Sequence, residues 1–180
     1  MPFLLEPNTD RIAPGGCSPT HDCAPEKLAL GSPKWLKRDL SAIIGPQEVH
    51  SRTIDLIKYA SDASPYRMFP KIVVTPKATD EVANIFAYAR KRSISVTIRA
   101  AGSSLSGQSQ GKGILLDACK HWAGIRVEDD GRRLRARPGT VMFRANLELK
   151  PYDYRLGPDP ANSGVATIGG VIANNSSGMC

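Results

Sequence analysis

The stretch from Lys71 to Gly113 constrains the fold more than any other. Lys71-Ile72-Val73-Val74-Thr75 is a short apolar run stopped by Pro76, the pattern of a buried strand. Thr79 is placed to cap a helix, with Asp80 and Glu81 in its first turn. Val82, Ile85, Phe86 and Ala89 then share one face at helical spacing. Arg90, Lys91 and Arg92 fall in the last turn, where cations suit the helix dipole. Ile94 to Ile98 predicts a second strand. Strand, helix and strand at this spacing form a βαβ unit, with parallel strands and a right-handed crossover.

Ligands of such sheets bind beyond the carboxyl ends of the strands. At that end stands Arg99-Ala100-Ala101-Gly102-Ser103-Ser104-Leu105-Ser106-Gly107-Gln108-Ser109-Gln110-Gly111-Lys112-Gly113, with four glycines and four serines in fifteen residues. Glycine permits positive φ and a close backbone approach to a ligand. Successive N–H groups in such a turn make a concave anion site. Arg99 and Lys112 add positive charge at its two ends. The segment therefore reads as a loop that wraps a phosphate or pyrophosphate; the alternative is a flexible surface loop, and its position after a strand favours the first.

The flanking segments are less uniform. Residues 1–40 are dense in Pro, Gly, Ser and charge, and are read as a mobile or loosely docked arm, with the domain proper at 41–180. Gln47 to Ala60 looks helical, with Ile54, Leu56 and Ile57 as its apolar face and Val49 and Ala60 extending it. Residues 60–67 are either a plain connector or a strap over a ligand. Ile114-Leu115-Leu116-Asp117 is a buried strand. Residues 124–128 and 133–137 flank Asp129-Asp130-Gly131-Arg132 as a β-hairpin. Its arginines, Arg126, Arg133, Arg135 and Arg137, are read as a solvated face. A helix from about Val141 to Leu149 uses Val141, Phe143 and Leu147 as apolar positions and stops at Pro151.

A second unusual segment runs from Gly157 to Gly178. Pro158 and Pro160 fix the backbone direction, Thr167, Asn174 and Asn175 offer hydrogen bonds, and Gly169-Gly170 lets backbone approach something flat or bulky. It breaks helix propensity where a helix should start, which sequences tend to do at functional sites. The bland alternative is an irregular helix start packed on the sheet.

The totals set limits. With 180 residues there is material for one domain with a core. The formal charge of +7 suits a phosphate-bearing ligand, nucleic acid or an anionic surface without choosing among them. The bases are not interleaved with aromatics as in single-strand nucleic-acid readers, so no nucleic-acid partner is expected. Cys17, His21 and Cys23 match no defensible zinc spacing, and no metal is expected. Neither a secretory signal nor a membrane span is readable, so the chain is read as cytoplasmic, with a peripheral membrane contact left open.

The two unusual segments together carry a resemblance. Arg99-Ala100-Ala101-Gly102-Ser103-Ser104-Leu105-Ser106-Gly107 is similar to the pyrophosphate loop of the vanillyl-alcohol oxidase / p-cresol methylhydroxylase flavoprotein superfamily. Gly157-Pro158-Asp159-Pro160, then Thr167-Ile168-Gly169-Gly170 and Ala173-Asn174-Asn175, is similar to its second flavin-contacting stretch. Within that superfamily the chain, over residues 45–180, most resembles the D-lactate and glycolate dehydrogenase branch. Residues 59–64 and 174–180 resemble larger members that carry an iron–sulfur region.

The resemblance implies an α+β, FAD-binding PCMH-type domain, a small parallel βαβ subdomain packed against a partly antiparallel sheet, truncated at the C-terminus. It implies that Arg99, Ala100, Ala101, Gly102, Ser103, Ser104 and Leu105 hold the FAD pyrophosphate. Pro158, Asp159, Ser163, Thr167, Ile168, Gly169, Gly170, Ala173, Asn174 and Gly178 would then line the ribityl and isoalloxazine region. Some members attach flavin through a His in the first loop; Ser103 and Ser104 stand there, so non-covalent FAD is expected. The implied activity is oxidation of a D-2-hydroxy acid, such as D-lactate or glycolate, by hydride transfer to flavin, with electrons passed to an acceptor. The family's catalytic His residues and substrate Arg lie past Cys180, so no catalytic residue is assigned, and the piece is expected to be inactive alone and to self-associate through exposed sheet edge and apolar surface. The alternatives are a non-catalytic nucleotide- or phosphate-binding module and, more weakly, a basic surface-binding protein. Ser93 departs from the glycine common at that helix end, a cost to stability rather than function.

Overall fold

A computed structural model describes residues 26–178. In chain order it contains α1 (Lys34–Ile44), β1 (Val49–His50), α2 (Thr53–Lys58), β2 (Ile72–Val74), α3 (Thr79–Lys91), β3 (Val96–Arg99) and β4 (Ile114–Asp117). β5 (Ile125–Glu128), β6 (Arg133–Ala136), α4 (Met142–Leu149) and α5 (Ile168–Ala173) follow, with short 3-10 turns between. The first four strands form a sheet in the order β1-β2-β4-β3; β5 and β6 form an antiparallel ribbon.

The βαβ unit forms as expected, with one refinement. β2 and β3 both run parallel to β4, which lies between them. Ile72, Val73, Val74, Leu115 and Leu116 are buried on both faces of the sheet, as central parallel strands require. One face packs on Leu36, Leu40, Ile44, Ile85 and Ala89, the other on Leu28 and Leu56. Thr79 is the first residue of α3 and not its cap: Ala78 holds the N-cap position, with no side-chain bond, and Phe86 is exposed. It ends in a Schellman motif: Ile94 N–H bonds Ala89 O at 2.9 Å and Ser93 N–H bonds Arg90 O at 3.2 Å. That motif puts Ser93 at φ 53°, the left-handed region a glycine would occupy without strain.

Three expectations need correction. Residues 26–40 are not an arm: α1 starts after Pro33 and buries Leu36 and Leu40 completely. Asp39 ties it to α3, accepting from Tyr88 Oη at 3.0 Å and pairing with Arg92 at 3.2 Å. Residues 1–25, with Cys17, His21 and Cys23, lie outside the described residues, as do Met179 and Cys180. Gln47 to Ala60 is not one helix. Glu48 ends a 3-10 turn, Val49 and His50 pair antiparallel with Val74 and Val73, and only Thr53–Lys58 is helical. Leu56 is its buried residue while Ile54 and Ile57 face outward. In α4 the buried set is Met142, Ala145 and Leu149, and Phe143 and Leu147 are exposed.

The hairpin forms at the expected place, with Arg126 opposite Arg135 and both reaching Glu128, at 2.6 and 3.3 Å.

Glu48 locks the β1 end of the sheet to the segment after β4. It is 4% exposed, and its Oε2 accepts from Thr75 Oγ1 at 2.6 Å, Lys120 Nζ at 2.8 Å and His121 Nε2 at 2.9 Å. Lys77 Nζ reaches Oε1 at 2.9 Å. Burial pushes this carboxyl up, but the bonds from Lys120, Thr75, His121 and Lys77 outweigh it and leave the group well below the usual carboxylate range.

Candidate functional site

The Gly/Ser loop leaves the carboxyl end of β3 at Arg99 and rejoins the sheet at Ile114. Its chain reversals use Gly102 at φ 71° and Gly107 at φ 73°. Ser104 closes the middle of the loop on itself: its Oγ accepts from the N–H groups of Ser106 and Gln108, both at 3.2 Å. Among the described residues, nothing accepts a hydrogen bond from the N–H groups of Ala100 through Leu105. Six consecutive backbone donors are thus left for something other than protein.

The loop is braced from behind. Arg99 donates to Ser61 O at 2.8 Å and lies over the Tyr59 ring, with its guanidinium packed against Gly102. Ala63 N–H bonds Gly102 O at 3.2 Å. Asp62 accepts from Ser64 Oγ at 2.5 Å, Ser109 Oγ at 2.7 Å and Gln110 Nε2 at 2.5 Å. Burial pushes the Asp62 carboxyl up, but these bonds outweigh it and hold it at about 2. Residues 60–67 are therefore neither a plain connector nor a strap over the ligand face: none of them lines the cavity in front of the loop.

That cavity has a volume of about 620 Å³, in the range of cofactor sites. On one side stand Ala100, Ala101, Gly102, Ser103 and Ser104; on the other, Thr167, Gly169, Gly170, Ala173 and Asn174. The two walls touch: Asn162 Nδ2 donates to Ser103 Oγ at 3.0 Å, and a Cβ on Gly170 would meet Thr167 Oγ1 and the Ala100 methyl group. Thr167, buried, caps α5 by accepting from Gly170 N–H at 3.4 Å. Gly169 lies so close to Pro138 that a Cβ would fall 2.6 Å from its ring. The small residues let two backbones converge, which is the reason for the poor helix propensity.

The structure thus brings ten of the residues singled out in the sequence to one cavity and leaves seven off its wall. Arg99 lies behind the loop. Leu105 points outward, 75% exposed. Pro158 is exposed, Asp159 pairs with Arg155 at 2.6 Å, Ser163 O accepts from Phe143 N–H, Ile168 packs beside Met142 and Val171, and Gly178 abuts the Asp159 carbonyl. Lys112 is exposed and also off the wall. The floor includes Val82, Leu116, Ala118 and Trp122, which the sequence reading assigned to the core or passed over. Leu116 and Ala118 could have been found from the rule that ligands sit at strand carboxyl ends; nothing local marks Trp122. No wall residue is charged, so an anion here meets backbone dipoles, with the Arg99 guanidinium behind them.

A mixed sheet, a Gly/Ser loop at its carboxyl end and a second Gly-rich segment closing on that loop frame the site, and the family whose pattern the chain matches gives the class: an FAD-binding domain. The family described as FAD binding domain matches residues 70–180, and this chain belongs to it. D-2-hydroxyglutarate dehydrogenase of Pantoea ananatis is 32% identical over 129 residues, covering 69% of this chain and 13% of that protein. Glycolate oxidase subunit GlcD of Escherichia coli is 32% identical over 128 residues, covering 69% of this chain and 26% of that protein. The chain therefore spans about an eighth to a quarter of the length of these relatives. Among solved structures, alkyldihydroxyacetonephosphate synthase superposes with a TM-score of 0.70 at 18% identity, over 88% of this chain and 32% of that one. p-Cresol methylhydroxylase does so with 0.65 at 16% identity, over 81% of this chain and 32% of that one. No helix among the described residues is long and apolar enough to cross a membrane.

Proposed function

We propose that this chain holds the pyrophosphate and adjoining part of FAD in an FAD-linked oxidoreductase that acts on a D-2-hydroxy acid. The observation that carries the reading is the run of unpartnered N–H groups that begins at Ala100, of which Ala100 to Ser104 stand at the wall of the cavity. Pyrophosphate oxygens satisfy such a run. The uncharged, small-residue wall from Thr167 to Asn174 suits the close approach of the remainder of the cofactor. Bound FAD supplies the hydride acceptor; the protein's part is to bind, orient and exclude water. Asn162, by donating to Ser103 Oγ, ties the second segment to the loop, and Thr167 Oγ1 fixes the start of α5 within the second wall.

Non-covalent binding fits the side chains present. Among the described residues of the cavity wall none is His, Cys or Tyr, and burial pushes the nearby Cys119 thiol up to about 11, too high for a ready nucleophile. The relatives' own names, a D-2-hydroxyglutarate dehydrogenase and a glycolate oxidase subunit, support the substrate class proposed.

The test is anaerobic mixing of the full-length, FAD-loaded protein with D-lactate, glycolate and D-2-hydroxyglutarate in turn. At least one should bleach the flavin absorbance, and its L-enantiomer, where one exists, should not. Retained FAD with no bleaching by any D-2-hydroxy acid would remove the substrate class and leave a nucleotide-holding module.

A further inference from the structure

We infer that Asp62 is a positioning residue that sets the shape of the anion loop and so makes the site select a pyrophosphate-bearing flavin over a flavin without phosphates; this rests on the FAD reading above. Asp62 never reaches the cavity. It stands on the segment behind the loop, and both its oxygens are spent on that loop and its own turn. Oδ1 takes Ser64 N–H at 2.9 Å, Ser64 Oγ at 2.5 Å and Gln110 Nε2 at 2.5 Å; Oδ2 takes Ser109 Oγ at 2.7 Å.

The arrangement has a cost that argues for a purpose. Gln110 is 6% exposed and directs its Nε2 at three acceptors: Asp62, Ser64 Oγ at 3.2 Å and Tyr66 O at 3.0 Å. Its own Oε1 is left buried without a partner. An unsatisfied buried carbonyl is costly, and turning the amide over to satisfy it would aim oxygen at the Asp62 carboxylate. The returning arm of the loop is thus pinned at Ser109 and Gln110, and its leading arm at Gly102 through Ala63 N–H. With the returning arm held from behind by side chains and the leading arm by the Ala63 backbone N–H, the N–H groups of residues 100–105 are left without internal partners. Remove the pin and those donors can turn to local carbonyls or water, and the pre-formed cradle is lost.

The test measures the affinity of the 180-residue chain for FAD and for riboflavin, which lacks phosphates, in four versions: unaltered, Asp62→Ala, Asp62→Asn and Ser109→Ala. Asp62→Ala should weaken FAD about tenfold and leave riboflavin unchanged. Asp62→Asn keeps an acceptor for Ser64 and Gln110 while the Ser109 hydroxyl can reverse, so it should restore most of the FAD affinity. Ser109→Ala, which removes one bond, should fall between and decides the matter if Asp62→Ala does not give a native melt. A folded Asp62→Ala that binds FAD as the unaltered chain does, or one that loses FAD and riboflavin by the same factor, overturns the inference. Failure of the unaltered chain to prefer FAD over riboflavin overturns the FAD reading instead.

Discussion

Replacing Gly113 with valine should cost the fold about 3 kcal/mol or more, among the larger effects a single substitution can have. Gly113 is buried where the loop re-enters the sheet, and a Cβ there would overlap the backbone carbonyl of Ser95. That carbonyl cannot step aside: it accepts from Ile114 N–H at 2.9 Å and helps tie β3 to β4. Gly113 O also accepts from Lys71 N–H at 2.8 Å, so the same residue links β4 to the start of β2. Gly111 is the instructive contrast. Its nearest obstruction is the Thr97 side chain, which can rotate, so Gly111→Ala should cost far less. Urea denaturation of the two variants checks this; equal, small shifts in the midpoint would mean that the β3–β4 pairing tolerates spreading, and the ends of the anion loop are less fixed than described.

Glu48→Ala should destabilise the chain by about 2 kcal/mol at neutral pH and flatten its acid sensitivity. The cost is held to that level because Lys77 and Lys120, 54% and 43% exposed, can return to water, whereas the buried Thr75 hydroxyl loses its bond to the carboxylate. The sign of the pH effect follows from the lowered folded-state value. The unfolded chain takes up a proton at the ordinary glutamate value of about 4.3, and the folded one only at lower pH. The stabilisation is therefore fully present above that range and drains away as the pH falls below it. Denaturation midpoints between neutral pH and pH 3 should drop more steeply for the unaltered chain than for Glu48→Ala. Parallel profiles would show that Glu48 does not carry the effect.

The central βαβ unit and the hairpin were legible because each is written locally. The apolar runs 72–74 and 114–116 have strand length, α3 has its charge gradient, and Asp-Gly separates the ribbon strands. α1 was hidden because Pro33 and the charges at 34, 37, 38 and 39 mask the Leu36–Leu40–Ile44 repeat that makes its buried face. β1 is two residues long and exists only because Val74 and Val73 offer an edge to Val49 and His50; no local pattern encodes that. In α4 both faces carry apolar residues, and the ribbon and the Ala166–Val171 segment decide that Met142, not Phe143, goes inside. The candidate site was legible through its glycines, which mark where backbones must converge. Side-chain direction was not: Arg99 reads as a ligand-facing charge until Ser61 O and the Tyr59 ring are seen to hold it behind the loop.

In the proposed function, these parts join in one FAD site, with Ala100 to Ser104 as one wall and Thr167, Gly169, Gly170, Ala173 and Asn174 as the other. Backbone amide NMR of the 180-residue chain titrated with FAD addresses it residue by residue, even at weak affinity. The account predicts saturable shifts concentrated at Ala101–Leu105 and at Gly169–Asn174, with riboflavin moving the second group and sparing the first. Absence of any saturable response, or shifts confined to the arginine face of the β5–β6 ribbon, would contradict it and leave a basic surface that meets FAD only as an anion.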